Sequence, residues 1–158
     1  MRKRLIGAVR PNTPPAEQNW LNVESMAEVE ITSEDAAHPI ESALLPGASS
    51  GWRAAGPGTQ TIRLLFAQPQ QLRCVHLHFE ESAIERTQEY VLRWSPDGGQ
   101  SFREIVRQQW NFNPQGATSE VEDHRVELKG VTLLELSITP HIGGGQHAFA
   151  SLAQLRIA

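Results

Sequence analysis

Two histidines one residue apart, His76 and His78, stand in a run that alternates apolar and polar side chains, and an extended strand turns both imidazoles to one face. That is the spacing of two zinc ligands, but no third ligand is indicated. Arg93, expected on the matching face of a neighbouring strand, would set a cation beside the ion, so the pair reads as a partly exposed polar strand face. Cys74, the one cysteine, lies on the same face. As a nucleophile it needs a base and a cleft; His76 is two residues away, yet a flat strand face is no cleft. Glu120, Glu122 and Asp123 have the chemistry of paired carboxylates for work on a glycosidic bond, and read as surface acids of a loop. Gly143-Gly144-Gly145 follows a strand without the lysine or helix that cradles phosphate, and reads as a flexible loop. No G-x-S-x-G, Walker or H-E-x-x-H pattern occurs. No catalytic residue, metal ligand or cofactor is therefore expected, and the chain reads as a non-enzyme.

Recognition chemistry is better represented. The stretch from Glu80 to Gln88 carries Glu80, Glu81, Glu85, Arg86 and Gln88. A guanidinium offers a rigid fork of donors to vicinal hydroxyls, which suits Arg86 to a sugar; the alternative is an ion pair with Glu85 or Glu89. The stretch from Gln108 to Gly116 holds Trp110, Asn111, Phe112 and Asn113 among glutamines. A pyranose stacks its C–H face on an aromatic ring and gives its hydroxyls to amides, and one of the two rings is expected buried and one exposed. His38, Glu41 and Ser49-Ser50 lie before Trp52, and His141 and His147 border the glycine run. The expected ligand-binding set is Arg86, Gln88, Trp110, Asn111, Asn113, His38 and His141.

These side chains must be placed by strands. Ala27, Val29 and Ile31 alternate with Glu28, Glu30 and Thr32; Ile62 to Phe66 forms a second strand closed by Pro69; Val75, Leu77 and Phe79 alternate with polar neighbours. Tyr90 to Trp94 leads into the turn Ser95-Pro96-Asp97-Gly98-Gly99, and Phe102 to Arg107 returns. Val126–Leu128, Leu133–Ile138 and Ala150–Ile157 complete about eight strands. No helical period lasts beyond two turns. The fold class is all-β, an antiparallel β-sandwich. The 158 residues suffice for one domain, and the breaker cluster Pro11 to Pro15 divides a flexible or extended lead-in, 1–19, from a domain, 20–158.

The net charge of -4 is unevenly distributed. Arg2, Lys3, Arg4 and Arg10 are unopposed, while Glu17, Glu24, Glu28, Glu30, Glu34, Asp35 and Glu41 fall before the next base, Arg53. A basic stripe confined to the first ten residues excludes nucleic-acid binding by the body of the chain. Leu5 to Val9 is too short an apolar run for a secretory signal, and no stretch has the length of a membrane span. Cytoplasmic residence is the expectation.

The run Gly51-Trp52-Arg53-Ala54-Ala55-Gly56-Pro57-Gly58-Thr59-Gln60-Thr61-Ile62-Arg63-Leu64 resembles a block of the discoidin, or coagulation-factor type C (F5/8 type C), domains. Pro69 to Phe79, the Tyr90-to-Gly98 hairpin, Leu134 to Pro140, and Ala150 to Ile157 resemble later blocks in the same order. The resemblance spans roughly residues 23 to 158. It implies an eight-stranded, galactose-binding-like jelly roll that binds ligands with loops at one end and does no chemistry. It also implies a core role for Trp52 and a place at the ligand end for the connection carrying Arg86. Where many relatives hold a structural calcium with an Asp-Gly turn, this chain has Ser42 to Trp52, with Glu41 the nearby acid, so calcium is not expected. The resulting expectation is a carbohydrate-binding module with a sugar or glycan ligand. The alternative is an intracellular protein-protein adaptor of the same fold, with a protein partner.

Overall fold

A computed structural model describes residues 19–47 and 50–158. The lead-in assigned to 1–19 thus lies, apart from Asn19, outside the described residues. The elements are α1 (Val23–Met26), β1 (Ala27–Ile31), α2 (Glu41–Leu44), β2 (Trp52–Pro57), β3 (Gln60–Glu80), β4 (Arg86–Ser95), β5 (Arg103–Phe112), β6 (Ser119–Thr139), β7 (Phe149–Leu152) and β8 (Gln154–Ile157).

All paired strands run antiparallel. β3 and β6, 21 residues each, pair along their length from Gln60↔Ile138 to Glu80↔Ser119, with register shifts between Leu65 and Cys74. Those irregularities divide each strand into two arms. The first arm of β3 joins β1 and the last arm of β6, which continues to β4 and β5. The second arm of β3 lies between β8 and the first arm of β6, and β2 pairs β7. The layers face each other across an apolar core in which Phe79 of β3 stacks on Tyr90 of β4, centroids 5.1 Å apart. Trp52 is buried in that core, as the resemblance implies. The antiparallel β-sandwich is the observed fold.

Several boundaries differ from the sequence expectations. Pro69 does not close a strand: β3 runs through it where its ladder with β6 shifts register, so the missing N–H breaks no pairing there. The segments 126–128 and 133–138 belong to one strand, β6, and Trp110 to Phe112 continue β5 rather than forming a loop. Glu120, Glu122 and Asp123 are strand residues, and Glu120 is buried, not a surface loop acid. The strand at Ala150–Ile157 breaks at Ala153, and β2 is a strand that pattern reading passes over. Arg93 lies away from the histidines. With Arg63 it flanks the buried Glu135, the three being register neighbours on adjacent strands. His76 instead bonds Asp123, Nδ1 to Oδ1 at 2.7 Å, and is buried rather than partly exposed.

The predicted turn is present. The Asp97 carboxylate accepts from the Ser101 hydroxyl on Oδ2, and from the Ser95 hydroxyl and the Ser101 N–H on Oδ1, and these bonds to the ionised form hold it at about 2. At Gly51 the backbone has φ +69°, and a Cβ there would stand 2.8 Å from the Leu152 carbonyl oxygen. Backbone cannot yield as a side-chain tip does. Gly51→Ala is expected to cost roughly 2–3 kcal/mol in a denaturant titration, combining the left-handed conformation with the clash. An unchanged midpoint would contradict that contact.

Candidate functional site

One end of the sandwich gathers loops from four parts of the chain. The 81–85 connection is tied to the 113–118 connection by the Glu81 N–H bond to the Thr118 carbonyl. The 140–148 connection is tied to β4 by the Ile142 N–H bond to the Thr87 carbonyl. The segment carrying His38 is laid on β2: Arg53 N–H donates to the His38 carbonyl and Asp35 N–H to the Arg53 carbonyl. Arg53 is the register partner of Ser151 on β7, so both side chains leave the same side of that ribbon.

Between the 81–85 connection, the His38 segment, β2 and the end of β7 opens a cleft of about 260 Å³, lined by His38, Ser50, Arg53, Glu80, Glu81, Ser82, Ala83 and Ser151 over a floor of Trp52, Leu152 and Ala153. Its rim offers one guanidinium, one imidazole, two carboxylates and three hydroxyls. Arg53 lies over the Phe149 ring, 5.3 Å from its centroid, while remaining exposed. Glu80 Oε1 lies 3.2 Å from His78 Nε2. Burial alone would raise the Glu81 carboxyl, but hydrogen bonds from Arg86 and the Ala83 N–H outweigh it and hold it below its ordinary value. The result is a polar basin of donors and carboxylate acceptors suited to a polyhydroxylated ligand.

Of the residues expected to bind ligand, His38 lines this cleft. Arg86 lies directly behind it, 1% exposed: Nε bonds Glu81 at 2.8 Å, Nη1 bonds the Pro140 carbonyl and Gln88 Oε1, and the guanidinium covers Phe112. Its partner is Glu81, not Glu85 or Glu89, because Arg86 opens β4 on the inward face. In this conformation it braces the cleft wall from inside. Gln88 is buried on the same face beside Trp110. Phe112 is the buried ring, as expected of one of the pair; Trp110 is half-buried against the core and offers no open platform. Asn111 is exposed and accepts from the Thr87 hydroxyl, whereas Asn113 closes the turn to Ala117. His141 accepts the Thr87 N–H on Nδ1 and borders a separate depression of about 200 Å³ with Thr59, Ile142 and Gly144. Arg53, Ser82 and Ser151 were absent from the expected set. The alternation of buried Trp52 with exposed Arg53 is the signal that marks the first of them.

In the segment where the discoidin resemblance would place a calcium, two backbone acceptors already have a donor. The carbonyls of Ala43 and Leu45 already accept from the Arg156 guanidinium, at 2.8 and 3.0 Å, and no cluster of three His, Cys, Asp or Glu suited to a metal occurs among the described residues.

No protein-family model matches the sequence, and no curated protein matches it. Solved structures do. The family 32 carbohydrate-binding module of Clostridium perfringens NanJ in complex with galactose superposes with a TM-score of 0.62 at 14% identity, over 85% of this chain and 94% of that one. The C. perfringens module CpGH89CBM32-4 gives 0.64 at 14% identity, over 87% and 98%. Chitosan-binding module 1 from the chitosanase/glucanase of Paenibacillus sp. IK-5 gives 0.61 at 16% identity, over 87% and 98%. The fold is a β-sandwich jelly roll like that of these modules. Identities this low establish architecture and not ligand. In this jelly roll the cleft is assembled from the 81–85 connection, the segment running into β2 and the end of β7.

Proposed function

We propose that this chain is a non-catalytic carbohydrate-recognition module whose ligand lies in the cleft between His38, Arg53, Glu80, Glu81 and Ser151. The observation that carries the reading is the polar, loop-built basin itself, with an exposed guanidinium already oriented on an aromatic ring. Arg53 would donate its fork to adjacent hydroxyls, while the Glu80 and Glu81 carboxylates accept from others. Support comes from neighbours of the same fold described as complexed with galactose and with GalNAc-β-1,3-galactose.

A glycan array followed by calorimetry on the best hit tests the reading. Arg53→Ala is expected to weaken binding roughly 10- to 100-fold, as for loss of a charged hydrogen bond, and His38→Ala by a smaller factor. Trp110→Phe, which trims a core-packed indole that does not line the cleft to a phenyl ring, leaves affinity within about twofold. Absence of binding by the wild type across a broad array sinks the proposal.

The adaptor reading has one observation in its favour. An apolar groove of about 330 Å³ between α1, β1 and α2, with Val23, Val29, Ile31 and Leu44 inside and Glu24, Glu34 and Glu41 at its margin, suits an apolar segment flanked by bases. A stoichiometric partner that Val29→Asp releases and Arg53→Ala does not would favour it.

A further inference from the structure

The sandwich interior is polar where β5 faces the first arm of β6. Glu120 and Glu122 are register partners of Phe79 and Leu77, and therefore point inward with them. Across the gap, Gln108 Nε2 donates to both carboxylates, to Glu120 Oε2 at 3.0 Å and Glu122 Oε1 at 2.5 Å. Glu120 is 2% exposed. Its Oε1 is one of four buried side-chain atoms without a hydrogen-bond partner among the described residues; the others are Arg86 Nη2, Gln88 Nε2 and Trp110 Nε1, all on the inward face of the β4–β5 hairpin. β5 is the outermost strand, bonded along its backbone to β4 alone, so the Gln108 bridge is its polar tie across the sandwich.

Two ionised carboxylates cannot share one amide in a buried site without strong repulsion, and the pair retains a proton instead. We propose that Glu120, Glu122 and Gln108 form a proton-holding clasp that fastens β5 across the sandwich and slackens when the shared proton is lost. The surroundings offer little to offset the second charge. β4 contributes Arg86, committed to Glu81, and Tyr90, whose hydroxyl contacts His124 Nε2 at 2.6 Å. β3 contributes Leu77 and Phe79, and the inward residues of β5, Val106 to Phe112, include no ionisable group. Burial lowers the His124 imidazole, keeping it neutral at neutral pH and above, where a cation would be needed.

Burial raises the Glu120 carboxyl, the Gln108 amide pulls it back and the Glu122 charge raises it further, leaving it at about 7 against an ordinary 4.5. A raised carboxyl means that the folded state holds its proton more tightly than the unfolded chain. The stabilisation is therefore complete below the ordinary value and is lost as pH climbs through about 7. Deprotonation leaves two charges on one amide and loosens the strand that the amide secures. The clasp stands independently of what the cleft binds.

Hydrogen exchange on the full chain at about pH 6 and about pH 8.5, corrected for intrinsic rates, tests it. In the wild type, protection of the β5 amides is expected to fall about tenfold or more at the higher pH while the second arm of β3 holds. Glu120→Gln, an isostere that cannot ionise, keeps β5 protection constant. Unchanged β5 protection in the wild type, a fall spread evenly over all strands, or an equal fall in Glu120→Gln overturns the proposal. So does a wild-type carboxyl NMR titration placing Glu120 at the ordinary carboxylate value, a readout that remains if the variant fails to fold.

Discussion

Arg86→Met is expected to lower the melting temperature by roughly 6–20 °C, a loss of about 3–5 kcal/mol for breaking a buried ion pair in a chain of this size. The guanidinium is enclosed on every side. Its Nε is bonded to Glu81, its Nη1 to the Pro140 carbonyl and Gln88, and its Cζ lies 4.8 Å from the Phe112 centroid. Methionine fills the volume but leaves the partly buried Glu81 carboxylate without the group that keeps it ionised, and the Pro140 carbonyl without its donor. Removing one partner of a buried pair costs more than the pair itself contributes. Glu81→Gln combined with Arg86→Met should therefore regain part of the loss. Differential scanning calorimetry on the two single variants and the double variant measures this. A melting temperature within about 2 °C of wild type for Arg86→Met would show that the enclosure carries no such energy. Because Glu81 lines the cleft, the single variant should also weaken ligand binding, with the 81–85 connection losing its anchor.

The second large effect belongs to Arg156. Its side chain is 8% exposed, with Nη1 donating to the Ala43 and Leu155 carbonyls and Nη2 to the Leu45 carbonyl. Burial weakens the guanidinium's hold on its proton, though not enough to discharge it. A rigid fork bridging carbonyls on either side of the α2 terminus does mechanically what a cation ringed by oxygens would do. Arg156→Met leaves those acceptors unsatisfied and is expected to cost roughly 2–4 kcal/mol in urea unfolding. Arg156→Lys recovers part of this, since one ammonium cannot reproduce the planar fork. EDTA should leave the wild-type midpoint unchanged. A large chelator-induced shift, or an Arg156→Met midpoint equal to wild type, would assign the support of this turn to something other than the guanidinium.

The alternation of Ala27 to Ile31 and of Val75 to Phe79, with the Ser95-to-Gly99 reversal, specifies extended strands and a hairpin through local sterics and a period of two. These elements appear where their side chains place them. Local pattern could not reveal that 119–139 is one strand. The apolar alternation lapses at Glu120, Glu122 and His124 because their inward face meets a polar patch of β5 rather than hydrocarbon. Nor could it place Arg86. A guanidinium in an acid-rich segment reads as a surface group until the strand phase turns it inward and Glu81, five residues earlier, folds over it. His38 was legible as a candidate by type alone. Its company was not: Arg53, Glu80 and Ser151 reach it through backbone bonds and strand pairings that join segments distant in the chain, as in the pairing of Arg53 with Ser151.

By itself, then, the sequence determined a set of alternating strands, a basic start followed by an acidic stretch, and a single cysteine that no disulfide framework can use. Those properties follow from side-chain type and spacing along a single strand. The tertiary structure decided which polar groups are buried and which meet in the cleft, because both depend on pairing register and layer contact, and these are fixed between segments distant in the chain.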